Sequence, residues 1–118
     1  GKSTRKNVTS ADSRITIVLT TLAADADAAA LARAAVEEGL AACVNILPPM
    51  VSIYTWKGST AVDREQQLVI KTSARRVPAL QAWLLDHHPY ETPELLVLDA
   101  GATDAYFRWL VESTEPRR

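Results

Sequence analysis

Two adjacent histidines are the residues of this chain best suited to metal or acid–base chemistry. His87 and His88 open the stretch HHPYETPELLVL, with Tyr90 and Glu91 close behind them. Imidazole nitrogens and carboxylate oxygens bind divalent ions, and imidazoles also exchange protons near neutral pH. The stretch therefore raises two hypotheses: a metal site at His87, His88 and Glu91, or a helix that ends in histidine and turns into a strand.

Helix geometry separates the two imidazoles. Neighbouring residues on an α-helix point about 100° apart, so His87 and His88 cannot both reach one ion from a regular helix. Pro89 also disfavours the helical conformation for His88 and predicts an extended one. A histidine at a helix C-terminus is stabilised by the helix dipole and can bond a free carbonyl group. We expect His87 to end a helix and His88 to begin a turn, and metal ligation is the less frequent role for such residues.

Cys43 and Lys71 are the other reactive candidates. Cys43 lies in an apolar run, which favours an inert buried thiol over a nucleophile paired with a distant histidine. Lys71 lies in the apolar run LVIKT, so it must snorkel or pair, with Glu91 or Glu94 as candidate partners. A cleft that brought Lys71 together with a glutamate, a tyrosine and a histidine would suit a small anion or metabolite. No catalytic residue is assigned.

Composition limits the class of protein. The chain has 118 residues, 47% of them apolar, which is the size and content of one globular domain. Its formal charge of −1 gives no overall attraction to nucleic acid or to an anionic membrane. No apolar run is long enough to cross a bilayer. The single cysteine excludes an intrachain disulfide and suits a reducing, cytoplasmic setting.

The pattern of apolar residues predicts the order β-α-β-β-α-β with an added C-terminal helix. This order is typical of an α+β, ferredoxin-like split βαβ sandwich with the helices on one face of the sheet. The uncovered face predicts a homo-oligomer, because a small domain rarely leaves a large apolar patch in water. Predicted strands are 15–21, 42–47 continuing at 50–56, 67–73 and 93–98, and predicted helices run from Asp25 or Asp27 to Gly39, from Val77 to His87, and from Asp104. The domain is expected at 14–114, between a flexible arm at 1–13 and a polar tail at 115–118.

Four stretches together identify a family resemblance. EEGLAACVNILPPMVSIYTWKG, LVIKT, HHPYETPELLVL and DAYFRWLVEST follow one another between Ile15 and Thr114. In their order and spacing they resemble the CutA family, the divalent-cation tolerance proteins. The combination is specific, since a Leu-Ala-Ala-Cys-Val-Asn step is followed at a distance by His-Pro-Tyr-x-x-Pro-Glu.

The resemblance implies a ferredoxin-like subunit in a tight homotrimer, similar in architecture to the PII signalling proteins. It also implies tolerance to copper or another divalent ion, with weak metal binding and no accepted reaction. In some relatives the paired histidines and a cysteine near the end of the first strand are proposed copper ligands. The histidines correspond to His87 and His88, and the cysteine position corresponds to Thr20, a poor ligand for a soft metal. The inter-subunit cleft of the family is lined by residues that match Cys43, Trp56, Lys71, His88, Tyr90, Glu91 and Trp109.

The leading prediction is a cytoplasmic homotrimer that is not an enzyme and has no nucleic-acid or membrane partner. It would bind a divalent metal ion weakly, Cu(II) among the possibilities, through His88 with His87 and Glu91. The alternative is a PII-like signalling module that captures a small anion or metabolite in the inter-subunit cleft through Lys71. An enzyme that uses Cys43 or His88 ranks third.

Overall fold

Residues 8–116, which a computed structural model describes, form one five-stranded antiparallel sheet and three α-helices. No helix in these residues is both long and apolar enough to span a membrane. The strands are β1 (Thr9–Ala23), β2 (Cys43–Ile46), β3 (Met50–Trp56), β4 (Ser59–Thr72) and β5 (Leu96–Thr103), and the helices are α1 (Ala28–Glu37), α2 (Val77–His87) and α3 (Asp104–Ser113).

The sheet has the order β2-β4-β1-β5, and β3 continues the line of β2 along the long strand β4. Pro48 and Pro49 separate β2 from β3, because proline lacks the N–H that a strand ladder requires. This topology confirms the predicted α+β, ferredoxin-like class. It also confirms the interruption of the second strand at the two prolines.

One face of the sheet packs against α1 and α2. Val18 and Leu22 of β1 and Leu68 and Ile70 of β4 alternate with outward residues and are at most 2% exposed. They form one cluster with buried residues of the two helices, including Ala28 and Ala35 of α1 and Leu80 and Leu84 of α2. The predicted period-2 and helical patterns therefore meet in a single core.

Two local signals in the sequence set the bounds of α1. The Asp27 carboxylate accepts a hydrogen bond from the Ala30 backbone N–H at 3.1 Å, so Asp27 is the N-cap. Gly39 has φ 72°, a left-handed conformation that glycine adopts without a Cβ clash. The helix ends just before it, as the sequence predicts.

β3 and residues 59–65 of β4 form a two-stranded extension that we call the ribbon. Its register runs from Met50 opposite Glu65 to Trp56 opposite Ser59. Lys57 and Gly58, at φ 51° and 79°, make the connecting turn, and two left-handed residues in a two-residue loop match the twist of a hairpin. The radius of gyration is 16.2 Å, against about 13 Å for a compact chain of this length, because the ribbon projects from the body.

The ends of three predicted segments differ from the structure. Residues 9–13 do not belong to an arm, because β1 begins at Thr9, which pairs with Thr103 of β5; residues 1–7 lie outside the described part. The strand expected at 67–73 begins at Ser59. Its first half, in the ribbon, is mostly polar and therefore lacks the apolar run by which a buried strand is predicted. The strand expected at 93–98 is Leu96–Thr103. Of the predicted tail, residues 115–116 form no helix or strand, and residues 117–118 lie outside the described part.

α3 lies against the sheet face opposite to α1 and α2. The Ser13 hydroxyl donates to the Asp104 carboxylate at 2.7 Å at the start of α3. At its end, the hydroxyls of Ser73 and Thr114 are 2.9 Å apart. The rest of this open face carries half-buried or exposed apolar side chains, among them Leu96 and Leu98 at 50% and 47% exposure. α3 thus covers one part of the face and leaves another part free for a partner.

Candidate functional site

His88 is a buried residue that cross-links three segments of the chain. It follows α2 in an extended conformation (φ −76°, ψ 135°), as Pro89 requires, and is 7% exposed. Its Nε2 lies 2.9 Å from the Thr21 carbonyl oxygen on β1, and its Nδ1 accepts the Tyr90 backbone N–H at 3.1 Å. A carbonyl only accepts, so Nε2 carries the proton and the ring is neutral. Both ring nitrogens are occupied, and a metal ion would have to break one of these bonds.

His87 has the opposite environment. It ends α2, is exposed, and stacks on Trp83 with ring centroids 4.4 Å apart. Its Nδ1 donates to the Trp83 carbonyl oxygen at 2.8 Å, which satisfies a free carbonyl of the last turn. The Nε2 lone pair then remains available to solvent. Of the two histidines, His87 is the one that offers a metal ligand.

The predicted metal ligands do not form a chelate within one chain. Among residues 8–116 no three histidine, cysteine, aspartate or glutamate side chains lie close enough together to hold an ion. Glu91 is exposed in the loop after α2 and makes no ion pair there. The reason is the extended conformation that Pro89 imposes on His88. It turns the His88 ring into the protein, whereas His87 stays exposed at the end of α2. These residues do not fit a copper ion held by His87, His88 and Glu91 of a single chain.

Thr20, which the family resemblance places at a proposed ligand position, is wholly buried. It is 0% exposed, and its hydroxyl has no hydrogen-bond partner in the described part of the chain. We expect Thr20→Val to raise the free energy of unfolding by about 1 kcal/mol, because it replaces an unpaired buried hydroxyl with a methyl group of the same shape. Urea denaturation of both proteins at one protein concentration measures this change, and a less stable valine variant would contradict it.

Tyr90 joins the histidine turn to the ribbon. Its hydroxyl donates to a Glu65 carboxylate oxygen at 3.0 Å, and its ring lies tilted against His88 with centroids 5.0 Å apart. Burial, and then the bond to Glu65, raise the pKa of Tyr90 to about 12, so the phenol stays a donor at neutral pH. Further along the ribbon, the Tyr54 hydroxyl donates to Asp63, and this bond raises the pKa of Tyr54.

The turn and the ribbon enclose a cavity of about 760 Å³. Its lining combines three aromatic rings with several polar groups. The rings belong to Tyr54, Trp56 and Tyr90, and the polar lining includes Thr21, Gln67, Asp63, Glu65, Glu91 and Glu94. This is the size and mixed character of a small-molecule site.

The cavity is strongly acidic. Four carboxylates line it and no lysine or arginine does. Asp63 and Glu65 accept bonds from tyrosine hydroxyls, and Glu94 accepts one from Gln67 Nε2 at 2.8 Å. These donors are neutral, so they orient the carboxylates without cancelling their charge. The arrangement favours a cation over an anion.

The predicted cleft residues divide between this cavity and other places. Trp56, Tyr90 and Glu91 line the cavity, whereas Cys43, Lys71 and Trp109 do not. Of the two alternatives predicted for Lys71, snorkelling or pairing, the pairing with a glutamate is not found within residues 8–116. Lys71 lies in a row with Ile17 and Cys43 on the open sheet face.

Cys43 and Trp109 lie outside the cavity, in two different surroundings. The Cys43 thiol is half-buried, 3.8 Å from the Asn45 side-chain oxygen. Trp109 lies on α3 beside Tyr106, with ring centroids 5.4 Å apart, and is 46% exposed. Both residues stay predictions for an inter-subunit cleft.

Acidification is expected to destabilise the fold through His88. Burial lowers the pKa of His88, opposed in part by its bond to the Thr21 carbonyl and by the Glu65 charge. Below the unfolded pKa of about 6.5 the unfolded state therefore binds more protons than the folded state. The contribution of His88 to stability is complete above that pH and is lost as pH falls toward the folded pKa. Melting scans from about pH 8 to about pH 5 should show a drop that is smaller in His88→Phe, and parallel curves would contradict this.

Sequence reasoning missed the acidic half of the cavity. The predicted strand at 67–73 does not include Asp63 and Glu65, and Thr21 is predicted only as the last residue of the first strand. The signal was the two-residue spacing of Asp63, Glu65 and Gln67, which places them on one face of an extended strand. Without the ribbon register, that spacing does not reveal the tyrosines that face them.

Comparisons with a family model, with known protein sequences and with solved structures all find CutA proteins. A family model described as CutA1 divalent ion tolerance protein matches residues 16–113. The divalent-cation tolerance protein CutA of Thermus thermophilus is 41% identical over 99 residues, covering 83% of this chain and 96% of the relative.

Solved structures give the same result. The structure of CutA from Synechococcus elongatus PCC7942 is similar with a TM-score of 0.87 and 42% identity, over 95% of this chain and 100% of that one. The PII-like protein CutA from Nostoc sp. PCC 7120 is similar with a TM-score of 0.77 and 32% identity, over 86% of this chain and 99% of that one.

Proposed function

Because the chain belongs to the CutA1 divalent ion tolerance family, we propose that it is a homotrimeric divalent-cation tolerance protein that binds its ion weakly and performs no reaction. The observation that carries the metal part is the exposed imidazole of His87, whose Nδ1 is held by the Trp83 carbonyl while Nε2 stays available. A single imidazole is a weak site for Cu(II) or Zn(II), so we expect a modest affinity.

Glu91 is the carboxylate we propose as a second contact. It lies in the loop after α2, four residues beyond His87, and makes no ion pair within residues 8–116. Because one chain does not assemble three ligands, further ligands would come from other copies in the trimer or from water. His88 has a supporting role in this proposal, since its ring nitrogens hold the turn that carries Glu91.

The trimer itself is supported by the apolar surface of the subunit. The ribbon and the open sheet face expose Val51, Ile53, Val62, Leu96 and Leu98 at 47–69%. Exposed apolar side chains at two places on a small subunit are typical of contacts between copies. We also place the protein in the cytoplasm, for which its one free cysteine is suited.

Calorimetry with Cu(II) and Zn(II) on the native protein and on His87→Ala tests the metal part. We expect His87→Ala to lose the measurable binding heat, and Glu112→Gln on the exposed side of α3 to keep it. Equal binding by native protein and His87→Ala would refute the role of His87. The test includes Glu91→Gln, for which we expect a smaller loss than for His87→Ala.

A second candidate function is a PII-like module that binds a small molecule. The observation that favours it is the cavity of about 760 Å³ between the turn and the ribbon, and a relative of this fold is itself named PII-like. A ligand in this cavity would contact both β1 and the ribbon and would stabilise their arrangement by mass action. A rise in melting temperature with ligand is the expected sign, and it should be independent of His87.

A further inference from the structure

We propose that the cavity between the histidine turn and the ribbon binds an organic cation with two or more separated protonated amines, a diamine or polyamine. The inference rests on the second candidate function and names the chemical class of its ligand. It replaces the small anion predicted with Lys71, which does not line the cavity.

The first argument is the distribution of charge. Asp63, Glu65, Glu91 and Glu94 line the cavity, and no lysine or arginine lines it. An ion pair or a phosphate-binding group would need a cation among these side chains. The uncompensated carboxylates instead lower the energy of a bound cation, and the partly enclosed setting reduces the screening of their charge by solvent.

The second argument is the spacing of the carboxylates. Although four of them line one cavity, no three lie close enough to hold a single metal ion in the described residues. A compact divalent ion needs several oxygens at one point. A ligand with amines separated along a flexible chain can meet carboxylates that are apart, so the geometry selects an extended organic cation.

The third argument is the Thr21 hydroxyl, which is independent of the acidic residues. Thr21 is 6% exposed and lines the cavity, and within residues 8–116 its hydroxyl makes no hydrogen bond. Its side chain lies on the same sheet face as that of Gln67, which is directly opposite on β4 and also lines the cavity. Among the described residues the one buried hydroxyl without a partner is that of Thr20, so the Thr21 hydroxyl is reachable from the cavity. An ammonium N–H of a ligand can donate to Thr21 Oγ1 there.

The aromatic rings complete the fit. Tyr54, Trp56 and Tyr90 present ring surfaces to the same space. Ammonium groups are attracted to the faces of such rings, and alkyl segments between the amines pack against them. The Lys57 ammonium already lies 5.7 Å from the centroid of the Trp56 ring, which shows that this ring accepts a cation.

Isothermal titration of the native oligomer with spermidine tests the proposal. We expect binding that weakens with added salt, and an affinity reduced by at least about tenfold in Glu65→Gln. Glu91→Gln removes a cavity charge whose carboxylate makes no ion pair within residues 8–116, so it keeps the test valid if Glu65→Gln disturbs Tyr90. Thr21→Val should weaken binding while leaving the charge unchanged. Glu112→Gln, which removes one carboxylate outside the cavity, should bind spermidine like the native protein.

Three outcomes would overturn the proposal. They are no binding of spermidine, equal affinity in the native protein, Glu65→Gln and Glu91→Gln, and displacement of spermidine by an equal concentration of Mg²⁺. If the neutral chain triethylene glycol binds as well as spermidine, the cavity takes a ligand but the cationic class is wrong. The metal proposal is tested separately by His87→Ala, because His87 does not line the cavity, whereas Glu91→Gln enters both tests.

Discussion

Replacing His88 with alanine is expected to lower the free energy of unfolding by about 3 kcal/mol. The substitution removes the imidazole that bonds the Thr21 carbonyl and the Tyr90 backbone N–H, and it leaves a cavity at a position only 7% exposed. Both partners lose their hydrogen bonds in a region where water has limited access. Urea denaturation at one fixed protein concentration measures the change, because the stability of an oligomer depends on concentration.

His87→Ala is the matched control, since it removes the same side chain one position earlier. His87 is exposed and bonds one helix-end carbonyl, so we expect a loss below about 1 kcal/mol. Equal losses for the two variants would show that His88 does not hold the turn in the manner described.

Making one face of the ribbon polar is expected to dissociate the oligomer. Ile53 and Val62 are directly opposite each other in the ribbon and are 69% and 62% exposed. In Ile53→Lys/Val62→Glu the opposite charges keep a favourable cross-strand contact, so the ribbon itself stays paired. Burying the two charges against a neighbouring subunit would cost several kcal/mol, on the order of a hundredfold or more in association. Sedimentation equilibrium should show a shift toward the 12.9 kDa mass of one chain.

Leu85→Asp provides the control for this variant. Leu85 lies on α2 and is 59% exposed, so it is an apolar surface residue of similar exposure outside the ribbon. We expect this variant to keep the native mass. A ribbon variant that also kept the native mass would exclude this face of the ribbon from the interface.

Sequence reasoning was most successful where a local rule controls the backbone. Pro89 alone was enough to place His88 outside α2 and His87 at its end. Asp27 and Gly39 set the bounds of α1 for similar reasons, because an N-cap oxygen and a left-handed glycine act over a few residues. The strand order followed from the alternation of helices and strands, and the comparison with CutA structures supports it.

The candidate site was harder to predict because its groups come from distant parts of the chain. Tyr90 meets Glu65 only because β4 lies next to β1 and the turn after α2 folds back over both. The polar ribbon also lacks the apolar run that marks a buried strand, so the strand predicted at 67–73 does not reach its acidic residues. The burial of Thr20 follows from its two-residue spacing with Val18 and Leu22. The burial of His88 depends on tertiary contacts, and no spacing in the sequence indicates it.

These contacts give the two histidines separate roles, whereas in a chelate both would bind one metal ion. His88 holds Tyr90, Tyr90 holds Glu65, and Glu65 lines the cavity. His87 stays outside this chain of contacts, with its Nε2 directed to solvent. We therefore infer that one histidine supports the ligand cavity and that the other is the contact for a divalent ion.

Nitrogen NMR of the imidazole rings tests this division of roles most directly, since the chain contains only two histidines. We predict that His88 carries its proton on Nε2, which bonds the Thr21 carbonyl, and that His87 bonds the Trp83 carbonyl through Nδ1–H. Addition of Zn(II) should shift the ring nitrogens of His87 and leave those of His88 unchanged. A Zn(II)-dependent shift at Nδ1 or Nε2 of His88, with His87 unaffected, would contradict the account.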